Sequence, residues 1–426
     1  MFTSYGIEIN NLWVLFAGLL VFLMTIAVGF LEVGELGEEL SFSLLKTVYF
    51  TGIALVVMAI VGFNTAFAPT WHGVIGNPFY APGLFLGAFS SSSVNPTAGI
   101  WWSLPSQGIT PGVYFLFETA FAAVTLALVG VVFFRKVKLS AVVAYSTVYF
   151  VLIWNLPAAW IWNPSGWLAK LGMVDFAGGL VVHGAAGAAG LGVLYQIWRE
   201  ERARGAATSP AVPIRVSPGW LTLGILLLWL GWFGFNPGSV LAFNNEAIVV
   251  VLTTFVAAAV SLLSVSATTY LAGREPPSLL VAVNGILMGL IVITPLAGFV
   301  SPGSAIVLGA LCGPVFWIGE RFFARFHWFT DPVGLLPGHL LGGVFGVTMI
   351  AFFTQTAFAA PAGAPSSLPN GLLFGGGMRA LHQLGIEELG ILVVLVVVFV
   401  LSFVVAAILA RLLGGITTRP TGADSP

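Results

Sequence analysis

Residues 175–192 read DFAGGLVVHGAAGAAGLG, and residues 331–346 read DPVGLLPGHLLGGVFG. Overlaid, Asp175, His183, Gly187 and Gly190 fall on Asp331, His339, Gly343 and Gly346, all at one offset of 156 residues. The chain therefore contains an internal repeat. Each copy opens with an acidic residue suited to capping a helix start, where a carboxylate accepts orphan backbone N–H groups and complements the dipole. The histidine follows eight residues on, a rise of roughly 12 Å. In a hydrocarbon core about 30 Å thick that depth is close to the midplane.

Composition points to a polytopic membrane protein. Over 426 residues the chain is 58% hydrophobic and 7% charged, with mean hydropathy +1.02, against roughly 25% charged in soluble domains. A net charge of -1 gives no reason to expect a nucleic-acid partner, and the single Cys312 excludes an internal disulfide. The first ten residues hold Glu8 and no Lys or Arg, so the basic n-region of a secretory signal is missing. Met1 to Asn11 reads as a short extracytoplasmic lead into the first span.

Apolar runs of about 20 residues predict an all-α chain with eleven spans: 11–31, 44–68, 112–134, 139–161, 177–198, 219–241, 246–272, 278–298, 303–319, 335–358 and 388–410. Basic residues orient them. With the N-terminus outside, Lys46, Arg135, Lys136, Lys138, Arg199, Arg202, Arg204, Arg215, Arg274, Arg321, Arg325, Arg411 and Arg419 fall inside, and only Lys170 and Arg379 outside. The odd span count then sends the C-terminus to the cytoplasm.

That orientation makes the repeat an inverted one. Span five enters from outside at Asp175, span ten from inside at Asp331. Residues 11–200 and 219–360 become inverted five-helix halves, 386–411 an added eleventh helix and 412–426 a short cytoplasmic tail, all within one membrane domain. Inverted halves place a transport site at the midplane between them, and the Gly- and Ala-rich faces after each histidine permit close helix approach. His183 and His339 are then expected side by side.

Among the remaining ionisable residues, His72, His327 and His382 fall in loops or at span ends, and Glu118 is the only acid well inside a predicted span. Intramembrane ionisable groups are costly and mark functional sites by default. One such histidine reads equally well as a structural hydrogen bonder; two at matched depth on repeated frames favour function. Residues 69–111, with SSSSVNPTAG, form a long external connection, 205–218 a Pro-rich cytoplasmic linker and 360–386 a Gly- and Pro-rich external segment. No phosphate-binding glycine loop or nucleotide motif occurs, and no cofactor or metal site is expected.

DFAGG with VVH at Asp175 to His183, GWFGFNPGS at Gly231 to Ser239, PSLL at Pro277 to Leu280, and DP with GH at Asp331 to His339 resemble the ammonium transporters of the Amt/Mep/Rh superfamily, on the Amt side. VGFLEVGEL at 28–36 and WNPSGWLAKLG at 162–172 are similar to the first-span region and the segment before span five. The resemblance runs in order along nearly the whole chain. It implies a homotrimer in the cell membrane, each subunit with its own narrow pore and no enzymatic activity. By position it implies that Phe117, Phe121, Trp162 and Ser239 form an outer recruitment site for ammonium. Phe121 and Phe235 would be stacked gating rings, His183 and His339 the pore-lining pair, and Asp175 a buried structural support. Without the resemblance, any one Phe among 35 reads as packing, Trp162 as part of an interfacial belt, and Ser239 as bonded to its own backbone.

These residue types make chemical sense. Burying a bare ammonium-sized ion costs on the order of 20 kcal/mol by Born estimate and several kcal/mol after relaxation. Treating its pKa as no higher than lysine's, loss of its proton at pH 7 costs at most roughly 5 kcal/mol. A narrow apolar pore therefore favours neutral ammonia. Ring faces can first hold the cation, worth about 0.5 to 2 kcal/mol each, with a Ser hydroxyl accepting an N–H. Potassium has no proton to give up. The paired histidines could act as donor and acceptor, sharing one proton and relaying another.

The chain departs from the family pattern in places. Glu118 stands where many relatives have Gln, and reads as a protonated packing residue first and a recruiting charge second. Gly334 stands where relatives often carry a second acid, so the family's inner mouth is not carried over to this chain at that position. The first-span loop, with Glu35, Glu38 and Glu39, is unusually acidic. The tail lacks the Gly/Asp/His pattern that couples subunits, which argues against regulation through it or by a PII-type partner. Methylammonium is an expected substrate analogue. The competing readings are a passive ammonia or carbon dioxide channel of Rh type, a membrane ammonium sensor, and a metalloenzyme on two histidines, which lacks the third ligand zinc needs.

Overall fold

Among the described residues of the computed structural model, eleven helices are long and apolar enough to cross a membrane. They are α1 Tyr5–Leu36, α2 Leu40–Phe67, α3 Pro111–Phe133, α4 Leu139–Leu171, α5 Gly179–Ala203, α6 Pro218–Gly238, α7 Asn245–Gly273, α8 Leu279–Leu296, α9 Pro302–Phe323, α10 Leu335–Phe353 and α11 Gly377–Leu412. The structure describes residues 4–80, 108–133, 137–205, 216–274, 276–326, 328–329, 331 and 333–418. Arg135, Lys136, Arg215, His327 and Arg419, and most of the connections 69–111 and 205–218, lie outside the described residues.

Side-chain caps set several helix starts. Thr110 precedes Pro111 and its hydroxyl accepts from the Val113 N–H; Ser301 precedes Pro302 and accepts from Ser304. Asn244 and Ser278 cap α7 and α8 in the same way. Each cap satisfies an N–H that the first turn leaves orphaned, and proline at the first position loses nothing there. After α2 the chain makes a two-stranded antiparallel ribbon, β1 Thr70–Trp71 and β2 Ile75–Gly76. His72 sits exposed in its turn.

The span count agrees with the sequence reading, but several boundaries move outward. α1 runs on to Leu36 and so takes in Glu32 and Glu35, both buried. Lys46 of α2 pairs with Glu32, which also accepts from the Ser43 hydroxyl at 2.7 Å. Both ions are all but inaccessible, and such a pair is tolerated in the interior because each charge has its counter-charge. α11 begins at Gly377, inside the stretch expected to be external loop, so Arg379 and His382 are helical and Glu387 is fully buried within it. α4 continues past Ile161 through a bend to Leu171. Glu118 is therefore not the only acid inside a span. An apolar-run criterion breaks off where charges flank the run and cannot see that a charge is paired or hydrogen-bonded.

The two halves meet along α5 and α10. A Cβ at Gly187 would meet Leu340, one at Gly190 would meet Leu335, and one at Gly343 would lie 2.3 Å from the Gly179 carbonyl. Partner numbers fall on α10 as they rise on α5, so the repeated helices run antiparallel. α1 and α6, the first helix of each half, also meet closely: Gly224, Gly231 and Gly234 face Leu31, Met24 and Ala17. Small residues at such crossings let backbones approach where lipid supplies no hydrophobic drive. After α11, the residues following Leu412 lie against the ends of α4 and α5. Lys138 donates to the Leu413 carbonyl at 2.9 Å, and Glu200 accepts from Ile416 and Thr417 N–H at 2.9 and 3.1 Å.

Candidate functional site

Both repeat acids cap the helix that carries a histidine. Asp175 Oδ1 accepts from Gly178 and Gly179 N–H at 3.0 and 2.7 Å, and Oδ2 from Leu180 and Val181 at 2.8 and 2.9 Å. Asp331 accepts from Leu335 and Leu336 at 2.9 and 2.8 Å. Burial pushes the Asp175 carboxyl above its ordinary pKa against the pull of its four N–H donors. Burial likewise pushes Asp331 up to about 6. Gly178 and Gly334 occupy the same place in the two copies, both in the left-handed region at φ 110° and 64°. Gly334 thus stands at a turn that favours glycine rather than an acid side chain.

Each cap opens into a turn of π-helix, Gly179–Gly184 and Leu335–Leu340, and each histidine lies within that turn. Such π turns are rare and gather at functional sites. They bring the imidazoles together: His183 Nδ1 and His339 Nδ1 are 3.1 Å apart. One of these nitrogens must then carry the proton and the other accept it, so the remote Nε2 atoms have opposite roles. His183 Nε2 is buried with no hydrogen-bond partner among the described residues. His183 also lies parallel to Trp232 and to Phe235, ring centroids 5.7 Å away in both cases.

Two cavities flank a pair of phenylalanines. The vestibule, about 390 Å³, is lined by Phe117, Glu118, Phe121, Trp162, Asp175 and Ser239 among others. The second cavity is only about 20 Å³, room for about one water. His183 and His339 line it, together with Phe235, Trp232 and a wall of Leu, Val and Met side chains. Phe121 belongs to the vestibule and Phe235 to the inner cavity, and their centroids are 4.4 Å apart. Their planes are inclined at 44°, so the rings meet tilted rather than stacked.

The vestibule residues are held by specific contacts. Trp162 Nε1 donates to the Asp175 carbonyl at 2.8 Å and its ring meets Phe121 edge-on at 5.8 Å. Phe117 leans on Phe121 at 4.8 Å. The Ser239 hydroxyl donates to the Phe235 carbonyl at 2.8 Å. That bond uses its only proton and leaves its lone pairs as acceptors. Glu387 braces the Asp175 loop from behind by accepting from Val174 N–H and Gln383. Among the described residues no group of three or more His, Cys, Asp or Glu side chains could hold a metal ion.

A family model for the Ammonium Transporter Family matches residues 12–422. The chain belongs to that family. It is 31% identical over 352 residues to the ammonium transporter of Bacillus subtilis, covering 82% of this chain and 81% of that one. It is 29% identical over 377 residues to ammonium transporter Amt1 of Archaeoglobus fulgidus, covering 88% and 86%. The fold superposes on Saccharomyces cerevisiae Mep2 with TM-score 0.80 at 23% identity, over 98% of this chain and 90% of that one. A sensor Amt protein superposes with TM-score 0.81 at 25% identity, over 99% and 100%. The chain is a multi-pass membrane protein of the ammonium transporters, and its substrate is ammonium.

The sequence reading of this ammonium transporter missed Trp232 and Glu387. Trp232 precedes Phe235 by three residues in GWFGFNPGS, a spacing that shares a helix face and was available as a signal. Glu387 lay just before the apolar run taken as the last span, and nothing in its neighbours marked it as buried.

Proposed function

We propose that ammonium is recruited in the vestibule by Phe117, Phe121, Trp162 and Ser239, loses its proton at the Phe121 and Phe235 constriction, and crosses the inner cavity as ammonia. The observation that carries this reading is the pairing of a polar, aromatic vestibule with an inner cavity of about 20 Å³ whose ionisable side chains, among the described residues, are two hydrogen-bonded imidazoles. An ion would enter that pore without its water, at a cost of several kcal/mol, whereas ammonia enters neutral. The His183 and His339 pair offers the separated proton a route, one ring donating as the other accepts. Asp175 supports the site through its cap and takes no part in proton transfer.

In this reading the vestibule faces outward, the N-terminus is outside and the C-terminus inside, and residues 11–200 and 219–360 are the inverted halves of one domain. The protein works as a homotrimer in the cell membrane, each subunit conducting alone, with no enzymatic step. Methylammonium is carried as an analogue. The second reading is passive ammonia conduction, which the apolar pore wall would equally allow.

The deciding experiment is an ammonium pulse at matched pH applied to proteoliposomes on a solid-supported membrane. A saturable inward current absent with potassium supports electrogenic transport. Internal alkalinisation without current would favour the passive channel, and neither signal despite ammonium binding would favour a sensor.

A further inference from the structure

Tyr114, Phe117, Glu118 and Phe121 are spaced to share one face of α3, and all four line the vestibule. Glu118 is 5% exposed. Its carboxyl group hydrogen-bonds the Tyr114 side chain one turn earlier, while Oε2 is buried with no partner among the described residues. The other acid of the wall, Asp175, spends both oxygens on four backbone N–H groups. No Lys or Arg lines the cavity among the described residues.

A buried carboxylate with one oxygen unbonded and no counter-charge is strongly unfavourable unless it takes up a proton or a cation joins it. The cation that fits is small, carries N–H donors, and stands against aromatic faces. We propose that Glu118 is the anionic ligand of the vestibule, accepting an N–H from ammonium or methylammonium held by Phe117, Phe121 and Trp162. The terminal torsion of a glutamate is broad, so rotation about it can aim at the cavity the oxygen that Tyr114 does not hold. The carboxylate adds a charge-assisted hydrogen bond to the ring contacts and raises the local cation concentration at the mouth. This inference rests on the recruitment reading above and adds a ligand to it.

The test uses the full-length protein in proteoliposomes and the ammonium dependence of its current. Glu118→Gln keeps the side chain's size and an acceptor for Tyr114 but removes the charge. The expected result is a rise in KM of about tenfold, the worth of one charge-assisted bond. Glu118→Asp keeps the charge and is expected to raise KM less than Glu118→Gln does. Glu118→Ala, with the same expected rise as the amide, replaces it should Glu118→Gln fail to fold. A space-filling neutral acid predicts that the amide behaves as wild type. A KM for Glu118→Gln within about threefold of wild type, or a rise for Glu118→Asp as large as for the amide, overturns the proposal. Wild-type current with an unchanged amide removes this inference alone; no saturable wild-type current removes the recruitment reading and this inference together.

Discussion

His183 and His339 meet through Nδ1 atoms 3.1 Å apart, each carried on a π turn that an aspartate caps, from helices running in opposite directions. The contact joins the two halves of the chain at their repeat. It also fixes the tautomers as a complementary pair, because two bare nitrogens would repel and two protonated ones would clash. The two outer Nε2 atoms are then one acceptor and one donor.

His183→Ala and His339→Ala should each lower the ammonium-evoked current by about a hundredfold, the scale of a lost proton-transfer partner. Current measured on a solid-supported membrane, with ammonia permeability followed by internal pH in the same vesicles, checks it. Unchanged current in both variants would sink the relay and leave a passive pore.

Gly343→Ala should separate the helices that carry the pair. The added Cβ would stand 2.3 Å from the Gly179 carbonyl and 2.9 Å from the Gly184 N–H, both backbone atoms that cannot swing aside. Overpacking of this kind costs about 1 to 3 kcal/mol, read as a lower unfolding temperature in detergent, and transport should fall with it. Gly52→Ala, where the Cβ meets nothing within 4 Å, is the control and should change neither.

Trp162→Leu should weaken recruitment more than turnover. Loss of one ring face removes about 0.5 to 2 kcal/mol of cation binding, a rise in KM of roughly 2- to 30-fold. Titration of current against ammonium separates KM from maximal rate. A fall in maximal rate with KM unchanged would mean that the ring serves only to buttress Phe121.

Asp331 gives the stability of the protein a pH dependence of definite sign. Its folded pKa of about 6 lies above the ordinary carboxylate value, so between the two the folded state binds more protons than the unfolded chain. Its contribution is then fullest below about pH 4 and is lost as pH rises through about 6. Asp331→Asn, which keeps an acceptor for the cap but does not ionise, should flatten that part of the profile. Unfolding temperatures of the two proteins between pH 4 and 7 give the comparison; parallel curves would refute the assignment.

Much of this was legible in the chain. The eleven spans follow from apolar runs, and the pairing of the two histidines follows from a repeat read against those spans. The buried acids escaped for one reason: a charged residue next to an apolar run ends the run in sequence but not in space. Glu32 is carried by Lys46 and Ser43, and Glu387 by Gln383 and the Val174 N–H. These partners are 11 to 213 residues away except for Gln383, which is one turn earlier on the same helix.

The sequence by itself determined that the chain is a membrane bundle, that it carries one motif twice, and which residue types stand at matched positions, because hydrophobic run length and periodicity are local properties. Only the tertiary structure decided that the two helix starts are π-helical and that the phenylalanine rings are tilted. It also decided that Phe121 and Phe235 belong to different cavities and that the second oxygen of Glu118 has no partner among the described residues. Those features depend on which surfaces meet when α3, α5, α6 and α10 close on one another, and no single helix carries that information in its own residues.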